Sequence, residues 1–457
     1  MANAPTMRIG IFFNPTGHHV ASWRHPDAQA DAGINFEHYV AMTQAAERAK
    51  VDYVFLADQV GIRDASMEAL SRSAQYIANF EPLTLLSGLA AVTKQIGLVA
   101  TASTSYNHPY HVARKFASLD LISHGRAGWN IVTSSFTNEA RNFGREEHFE
   151  HGERYERAKE FAEIVLGLWD SWDDDAFVRD KGSGLFFDPA KLHALGHTGE
   201  FFSVQGPLNA PRPPQGYPVL VQAGASEDGR DLAAHFAEII FSNHFELEAA
   251  QAFRADVKAR AAALGRNPNH VLIMPGLSPI VGRTSEEAEE RYTYLQSLID
   301  PVVAREILST VLGGPDLSGY PLDGQLPDDI KPRASHKGNA SFENWVNLAR
   351  REKLTIRELS YRAAGARGKA VVRGSPSEIA DHMEAWFKNG GADGFNIMPP
   401  YLPGALNDFL GLVVPELQRR GIFQTEYTGS TLREHLGLPR PASRYTHAGA
   451  AAAPIPY

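Results

Sequence analysis

The residues that could do chemistry in this sequence stand at the ends of short apolar runs, where strands are expected to end. They offer imidazole, carboxylate, hydroxyl, amide and aromatic groups: His18, Asp58, Thr101, Asn130, Ser226 and Phe241. Side chains of these types bind a polar cofactor and orient a substrate, and none forms an obvious nucleophile–base pair. Each has an ordinary alternative, because hydroxyls cap helices, Asp58 suits a turn and His18 suits an exposed loop.

A second set of residues predicts a phosphate site. Gly224-Ala225-Ser226-Glu227 lies between a predicted strand and a predicted helix. Backbone N–H groups and the Ser226 hydroxyl can face an anion there, and the helix dipole favours its charge. His151 and Tyr155 are four residues apart, so they share a face of one helix. The alternative for Tyr155 is that it only begins the apolar stripe of that helix.

Several other chemistries are excluded or disfavoured. The chain has no cysteine, which excludes disulfides, thiolate nucleophiles and Cys-ligated metals. His108 and His111 are three residues apart, as are His148 and His151, but neither pair has the His-Glu-x-x-His form, so no metal site is predicted. A Gly-x-Ser-x-Gly elbow and a Gly-x-Gly-x-x-Gly fingerprint after the first strand are both absent, which argues against a serine hydrolase and a Rossmann dinucleotide site.

The bulk composition is that of a globular protein, with 43% hydrophobic and 21% charged residues among 457. A net charge of −9 argues against nucleic acid or an anionic membrane as a partner. Residues 1–6 lack the pattern of a secretory signal, and no apolar run reaches the roughly 20 residues of a membrane-spanning helix. We therefore expect a cytoplasmic protein.

The elements that must position these residues alternate between strands and helices. The predicted strands are Arg8–Phe13, Tyr53–Leu56, Ile96–Ala102, Ala127–Val132, Val219–Ala223, Glu238–Ser242, Val271–Val281 and Gly394–Met398. Eight strand–helix units favour a (β/α)8 TIM barrel, and a doubly wound open sheet is the alternative. One domain over residues 1–457 is expected, with insertions at about 172–218 and 300–368 that are candidates for a lid. A C-terminal arm is expected at about 421–457, and from Pro439 it should run over the surface or a neighbouring subunit.

The strand Ala127–Val132 is interrupted by Gly128, which can be interpreted in two ways. A glycine removes a side chain where a flat ligand approaches the backbone, or it permits close contact between a strand and a helix. The sequence at this point leaves both alternatives open.

The same strand carries a resemblance to a known family. Arg-Ala-Gly-Trp-Asn-Ile-Val-Thr-Ser at 126–134, followed by Glu-Ala-Arg-Asn-Phe-Gly at 139–144, closely resembles the bacterial-luciferase-like flavin monooxygenases. Within them the chain is most similar to the branch of nitrilotriacetate monooxygenase component A and dibenzothiophene-sulfone monooxygenase. The resemblance runs from Gly10 to about Pro441 and implies a TIM barrel that binds FMN.

The resemblance also implies roles for individual residues. It places five of them at the FMN site: Asp58, Thr101, His151, Tyr155 and Ser226. Phe241 matches an aromatic residue on the substrate side of the flavin and His18 matches a pocket histidine, and with Asn130 they form the expected catalytic set. Leu312 stands near the point where the sulfone-oxidising relative has an active-site histidine, which disfavours dibenzothiophene sulfone as the substrate.

The implied activity needs two components. A separate NAD(P)H:FMN reductase makes FMNH2, which reacts with O2 to form a flavin (hydro)peroxide that oxidises a small organic substrate. A homodimer or homotetramer is expected. The rival interpretations are an F420-dependent reductase on the same barrel and a non-enzymatic flavin-binding protein. Basic pocket residues would favour a polycarboxylate substrate, and Arg24 is the candidate that the sequence offers near the barrel mouth.

Overall fold

The computed structural model describes residues 6–134, 136–332, 340–366 and 370–446. Its largest sheet within these ranges has nine strands, eight of which form a closed parallel barrel: β1 Arg8–Phe13, β2 Tyr53–Leu56, β3 Gly97–Ser103, β4 Ala127–Val132, β5 Val219–Gln222, β6 Ile239–Ser242, β7 Leu272–Val281 and β8 Gly394–Ile397. Closure is seen at Gly10 of β1, which pairs with Tyr53 of β2 on one side and Asn396 of β8 on the other. The predicted TIM barrel is confirmed.

Helices connect and surround the strands. Those that follow barrel strands are Phe36–Arg48, Pro82–Val92, Pro109–Ile122, His151–Trp169, Glu227–Phe236, Leu247–Ala263, Pro376–Lys388 and the run Gly404–Asp408, Phe409–Val413 and Val414–Arg419. Shorter or additional helices are Met67–Leu70, Thr137–Arg141, Ser285–Ser297, Pro301–Val311, Ala340–Glu352, Ile356–Ala366 and Leu432–Leu436. The helix Pro376–Lys388 begins with a capping box, because Ser375 Oγ accepts from Glu378 N at 3.4 Å and Glu378 Oε2 accepts from Ser375 N at 2.8 Å. Within the described ranges, no helix is both long and apolar enough to cross a bilayer.

The inside of the barrel is filled by side chains and closed at its amino-terminal end by a helix near the C-terminus. Its apolar cluster contains Tyr53, Phe55, Val99, Val219, Val221, Ile239, Leu272 and Met274 from the strands. The helix Leu432–Leu436 adds Leu432 and Leu436 to the same cluster. Leu432 N donates to the Gly125 carbonyl at 2.9 Å, just before β4 begins, which places this helix beneath the barrel.

Gly128 belongs to this packing. A Cβ built at Gly128 would lie 2.9 Å from Val99 Cγ2 and 3.6 Å from Leu432 Cδ2. The absent side chain makes room for the barrel interior and for the closing helix. The close-contact interpretation of Gly128 therefore fits the structure, and the approach of a flat ligand does not.

Residues 212–215 of the segment from 172 to 218 lie at the amino-terminal end of the barrel. Gln215 Nε2 donates to Asp120 Oδ1 at 2.6 Å and to the carbonyl of Ala127, the first residue of β4, at 3.0 Å. Arg212 Nε donates to the buried Asp170 at 3.0 Å. This end of the barrel is opposite the carboxyl ends of the strands, and Phe202 packs on the outer helices, with its ring 6.2 Å from that of His108. No residue of this fully described segment lines the cavities at the carboxyl ends, so its prediction as a lid is wrong.

The segment from 300 to 366 carries an apolar cluster of its own. Leu308, Leu312 and Leu359 are fully buried in that cluster. A strand that the sequence did not predict, Ala370–Gly374, then pairs in parallel with the far end of β7, with Ala370 opposite Leu277. The predicted insertion residues 333–339 and 367–368 lie outside the described residues.

The C-terminal segment runs along its own chain as far as residue 446. Arg440 forms an ion pair with Asp174 at 2.6 Å, and the Tyr445 ring stacks on His193 with the ring centroids 4.0 Å apart. These contacts fix residues 440–446 on the 172–218 segment. The rest of the predicted tail, residues 447–457, lies outside the described residues.

The closing helix depends on a buried ion pair, which gives a first prediction. Arg433 is 2% exposed, and its guanidinium donates to Glu238 at 2.6 and 2.9 Å and to the Tyr217 carbonyl at 2.8 Å. Arg433→Met leaves the Glu238 carboxylate without its cation, so the free energy of unfolding should fall by about 3–5 kcal/mol in urea denaturation. The double variant Arg433→Met/Glu238→Gln removes both charges, so its free energy of unfolding should fall clearly less than that of Arg433→Met. Equal losses in both variants would contradict this account.

Candidate functional site

Two adjoining cavities open at the carboxyl ends of the barrel strands. The first has a volume of about 270 Å³ and lies near β1, β2 and β6. The second has a volume of about 470 Å³ and lies between the loops after β4 and β5. Asp58, Arg63 and Tyr76 line both cavities, so the two form one continuous site.

Aromatic side chains form one wall of the first cavity. Phe12 packs on Phe55 with the ring centroids 4.6 Å apart and meets Phe241 edge to face at 6.0 Å. Phe241 has room for its ring because β7 carries Gly276, where an added Cβ would lie 2.9 Å from Phe241 Cζ. The structure thus places Phe241 at the wall of a cavity that can accept a flat or apolar group.

His18 lines the same cavity and is 4% exposed. Its Nε2 lies 2.8 Å from the Phe12 carbonyl oxygen, and its ring meets the Phe12 ring edge to face at 4.5 Å. A carbonyl only accepts, so Nε2 carries the proton, and in the neutral ring Nδ1 is the acceptor. The alternative of a solvent-facing loop histidine is therefore wrong.

Thr101 and Asn130 lie side by side inside the barrel. They are 3% and 2% exposed, and Asn130 Nδ2 donates to Thr101 Oγ1 at 2.9 Å. The Asn130 Oδ1 atom is buried and has no hydrogen-bond partner among the residues that the structure describes. An unpaired buried carbonyl costs about 1–3 kcal/mol, so this atom indicates a site for a donor that the protein itself does not supply. Neither residue is among those that line the two cavities.

The predicted phosphate residues come together at the far end of the second cavity. Ser226 is the N-cap of the helix Glu227–Phe236, its Oγ accepts from Gly229 N at 3.1 Å, and the Tyr155 hydroxyl lies 3.4 Å away. The His151 ring is tilted against the Tyr155 ring at 5.0 Å. Its Nδ1 lies 3.1 Å from Arg154 Nη2 and its Nε2 lies 3.1 Å from Asp228 Oδ2, so His151 already has partners at both nitrogens.

The sequence reasoning missed two arginines of this site. Arg154 lines the second cavity beside Tyr155, and within the described part of the chain its buried Nε has no hydrogen-bond partner. A basic residue in the first turn of a helix opposes the helix dipole, and this was the available signal for Arg154. Arg63 lines both cavities, but it lies in an irregular loop with no periodic pattern. Arg24, by contrast, is exposed and donates to the Leu298 carbonyl, so it lines neither cavity.

The hydroxyls after β3 have a structural role. Ser103 Oγ lies 2.8 Å from Ser134 Oγ, and Ser105 Oγ donates to the Thr133 carbonyl at 2.6 Å. They hold the loop after β4, in which Ser134 has a left-handed φ of 54°. Among the described residues, no group of three or more His, Asp or Glu side chains is arranged to hold a metal ion.

Asp58 stands where the two cavities meet. Burial raises the pKa of its carboxyl from 3.8 to about 6, and the charges of Glu81 and Glu139 act in the same direction against a backbone hydrogen bond at Gln59. At neutral pH the Asp58 carboxyl is ionised, and this buried charge lowers the free energy of unfolding. Carboxylates held in this way are common at functional sites.

A second prediction follows from the raised pKa of Asp58. The folded protein binds this proton more tightly than the unfolded chain, so ionised Asp58 lowers stability above pH 6, and this effect vanishes as the pH falls below 3.8. Asp58→Asn should therefore raise the free energy of unfolding by about 1–2 kcal/mol at pH 8 and much less at pH 4.5. Thermal unfolding at both pH values checks this, with exposed Asp64→Asn as the control. An increase in the free energy of unfolding that is the same at both pH values would contradict the raised pKa of Asp58.

Comparison with known proteins agrees with this geometry. The profile of the family described as luciferase-like monooxygenase matches residues 12–394. N-acetyl-S-(2-succino)cysteine monooxygenase of Bacillus subtilis (strain 168) is 52% identical over 439 residues, which cover 96% of this chain and 98% of that protein. Nitrilotriacetate monooxygenase component A of Aminobacter aminovorans is 49% identical over 442 residues, which cover 95% and 97% of the two chains.

A solved structure of a riboflavin lyase, with modified FMN and the substrate riboflavin, superimposes with a TM-score of 0.84. It is 32% identical to this chain, and the match covers 97% of this chain and 98% of that one. The resemblance seen in the sequence is therefore confirmed. The chain belongs to the luciferase-like monooxygenase family.

Proposed function

We propose that this enzyme is the oxygenating component of a two-component monooxygenase. It takes reduced FMN from a separate NAD(P)H:FMN reductase, binds O2 and a small organic substrate, and transfers one oxygen atom to that substrate. The observation that carries the proposal is the continuous site of two cavities, with anion-binding groups at one end and an aromatic wall at the other. The curated relatives named above are monooxygenases, and one of them is a component A.

The second cavity fits the phosphate and ribityl parts of FMN. Ser226, Tyr155 and Arg154 bring two hydroxyls and a cation to one point beside the N-terminus of the helix Glu227–Phe236. Such a helix end provides backbone donors and a favourable dipole for a phosphate. In this proposal His151 assists by orienting Arg154, to which its Nδ1 is already hydrogen-bonded.

The flavin ring would lie between the two cavities. Asp58 lines both of them and can accept a hydrogen bond from a ring N–H group. Asn130 and Thr101 lie behind the lining of the second cavity, next to Ile131, so in this proposal a polar ring atom reaches them past that lining. The Asn130 Oδ1 atom, which has no partner among the described residues, supports this assignment. A hydrogen bond from a bound donor would offset the free-energy penalty of burying that acceptor. Bound FMN in its reduced form supplies the electrons that activate O2.

The protein's own part in the reaction is to orient the substrate and exclude water. Phe12 and Phe241 line one wall of the first cavity and exclude water from it, and Phe55 packs behind Phe12. The hydrogen bond to the Phe12 carbonyl fixes the orientation of the His18 ring in the cavity wall, where the ring can position a substrate. Phe241 accordingly shapes the substrate pocket in this proposal, and it is not assigned to FMN binding.

The proposal includes a homodimer or homotetramer. Exposed apolar side chains on the 172–218 segment support self-association: Val178 at 47%, Leu185 at 45% and Phe186 at 61% exposure. Exposed apolar groups of this kind commonly mark interfaces. They line neither cavity.

The dependence on a separate reductase is tested with the purified chain. The chain lacks a dinucleotide fingerprint, so NADH and FMN alone should give no NADH oxidation above the background. Adding any NADH:FMN reductase should start substrate-dependent oxygen uptake, and a heat-inactivated reductase is the control. Vigorous NADH oxidation by this chain on its own would contradict the two-component proposal.

The phosphate end is tested by comparing FMN with riboflavin, which lacks the phosphate. Tyr155→Phe and Arg154→Gln each remove a donor to an anion, worth about 1.5–3 kcal/mol, so FMN affinity should fall roughly ten- to a hundredfold. Riboflavin affinity should hardly change. Fluorescence titration measures both, and Tyr110→Phe, which lies outside both cavities, is the matched control. Equal weakening of both ligands would place the phosphate elsewhere.

A further inference from the structure

Arg63 is a charged side chain of the first cavity that the proposed flavin contacts do not use. Asp58 and Arg63 are the residues with a full formal charge among those lining this cavity, since its other polar linings are amides, hydroxyls and His18. Arg63 also lines the second cavity and a third, outer cavity beside the segment at 305–318. It therefore stands on a route from the surface to the aromatic wall.

The partners of the Arg63 guanidinium within the described ranges are all neutral. Nη1 donates to Gln75 Oε1 at 3.0 Å and Nε donates to Gln59 Oε1 at 3.3 Å. The guanidinium carbon Cζ lies 4.8 Å from the Tyr76 ring centre and 5.6 Å from the Phe136 ring centre. A guanidinium has five N–H donors, so these two hydrogen bonds leave three donors for another group.

These contacts also fix the orientation of the guanidinium. Two amide oxygens hold one edge, and the rings of Tyr76 and Phe136 limit its rotation. Tyr76 and Ala78 adopt left-handed φ values of 56° and 53°, which non-glycine residues rarely do, at a cost of about 1–3 kcal/mol each. A strained loop that fixes the orientation of a cation in a cavity lining is typical of a prepared binding site.

We infer that Arg63 selects the substrate by binding a carboxylate, so that the enzyme oxidises small carboxylate-bearing molecules. The planar, fixed fork of an arginine matches the two oxygens of a carboxylate. Asp58 lines the same cavity and repels a second negative charge, so the carboxylate is directed to Arg63 and the remainder of the molecule to the aromatic wall. A cavity of about 270 Å³ limits the substrate to a small molecule. This inference rests on the proposed function for the reaction, but carboxylate binding can be measured without turnover.

The test is a binding experiment with matched pairs of probes. Succinate, thiodiacetate and tricarballylate are titrated by calorimetry into the full-length protein, with and without saturating FMN, beside their uncharged amides. At least one carboxylate should bind more tightly than its amide. Arg63→Gln should lower the affinity for that carboxylate roughly ten- to a hundredfold. The affinity for the amide should fall little, and the affinity for FMN should not change. Arg63→Lys keeps the charge without the planar fork and should retain part of the preference. Arg24→Gln, at an arginine outside both cavities, is the control.

Three outcomes would overturn the inference. If no carboxylate binds more tightly than its amide, or if Arg63→Gln and Arg63→Lys both keep the full preference while thermal unfolding is unchanged, Arg63 does not select the substrate. If Arg63→Gln weakens FMN but not riboflavin, Arg63 belongs to the phosphate end. A failure of FMN to bind at all would instead contradict the proposed function, and the titrations without FMN would still decide the role of Arg63.

Discussion

Closure of the parallel barrel is the constraint on which the rest of the structure depends. Hydrogen bonding from β8 back to β1 brings the carboxyl ends of all eight strands to one rim, so residues far apart in sequence line one site. The opposite end is closed by Leu432 and Leu436, which the Arg433–Glu238 pair holds in place. With that end filled, ligands have access from the rim of carboxyl ends.

At that rim the protein keeps several features that lower its stability. Asp58 is a buried carboxylate with a raised pKa, Asn130 Oδ1 is buried without a partner among the described residues, and Tyr76 and Ser134 have left-handed φ values. Asp58, Tyr76 and Ser134 line the two cavities, and Asn130 lies next to Ile131 of the second cavity. Their grouping at one place is expected of a ligand-binding site, because natural proteins retain destabilising features mainly where function requires them.

The fold could be predicted closely because the alternation of strands and helices is a local signal, and the barrel strands agree with their predicted bounds to within one residue. The strand Ala370–Gly374 was missed, because its pairing with the far end of β7 is a tertiary contact that no local pattern records. Helical spacing brought His151 and Tyr155 together correctly. Arg63 could not be found, since its irregular loop is positioned by contacts with Gln75, Tyr76 and Phe136 that appear only in three dimensions.

The central claim is that reduced FMN bound at this rim drives the transfer of one oxygen atom from O2. It is tested most directly in a single turnover without NADH or a reductase. The protein is mixed anaerobically with photochemically reduced FMN and a panel of small organic substrates, and ¹⁸O2 is then admitted. The account predicts a product that carries one ¹⁸O atom, detected by mass spectrometry. Complete oxidation of the flavin to give H2O2, with no ¹⁸O in any member of the panel, would contradict it.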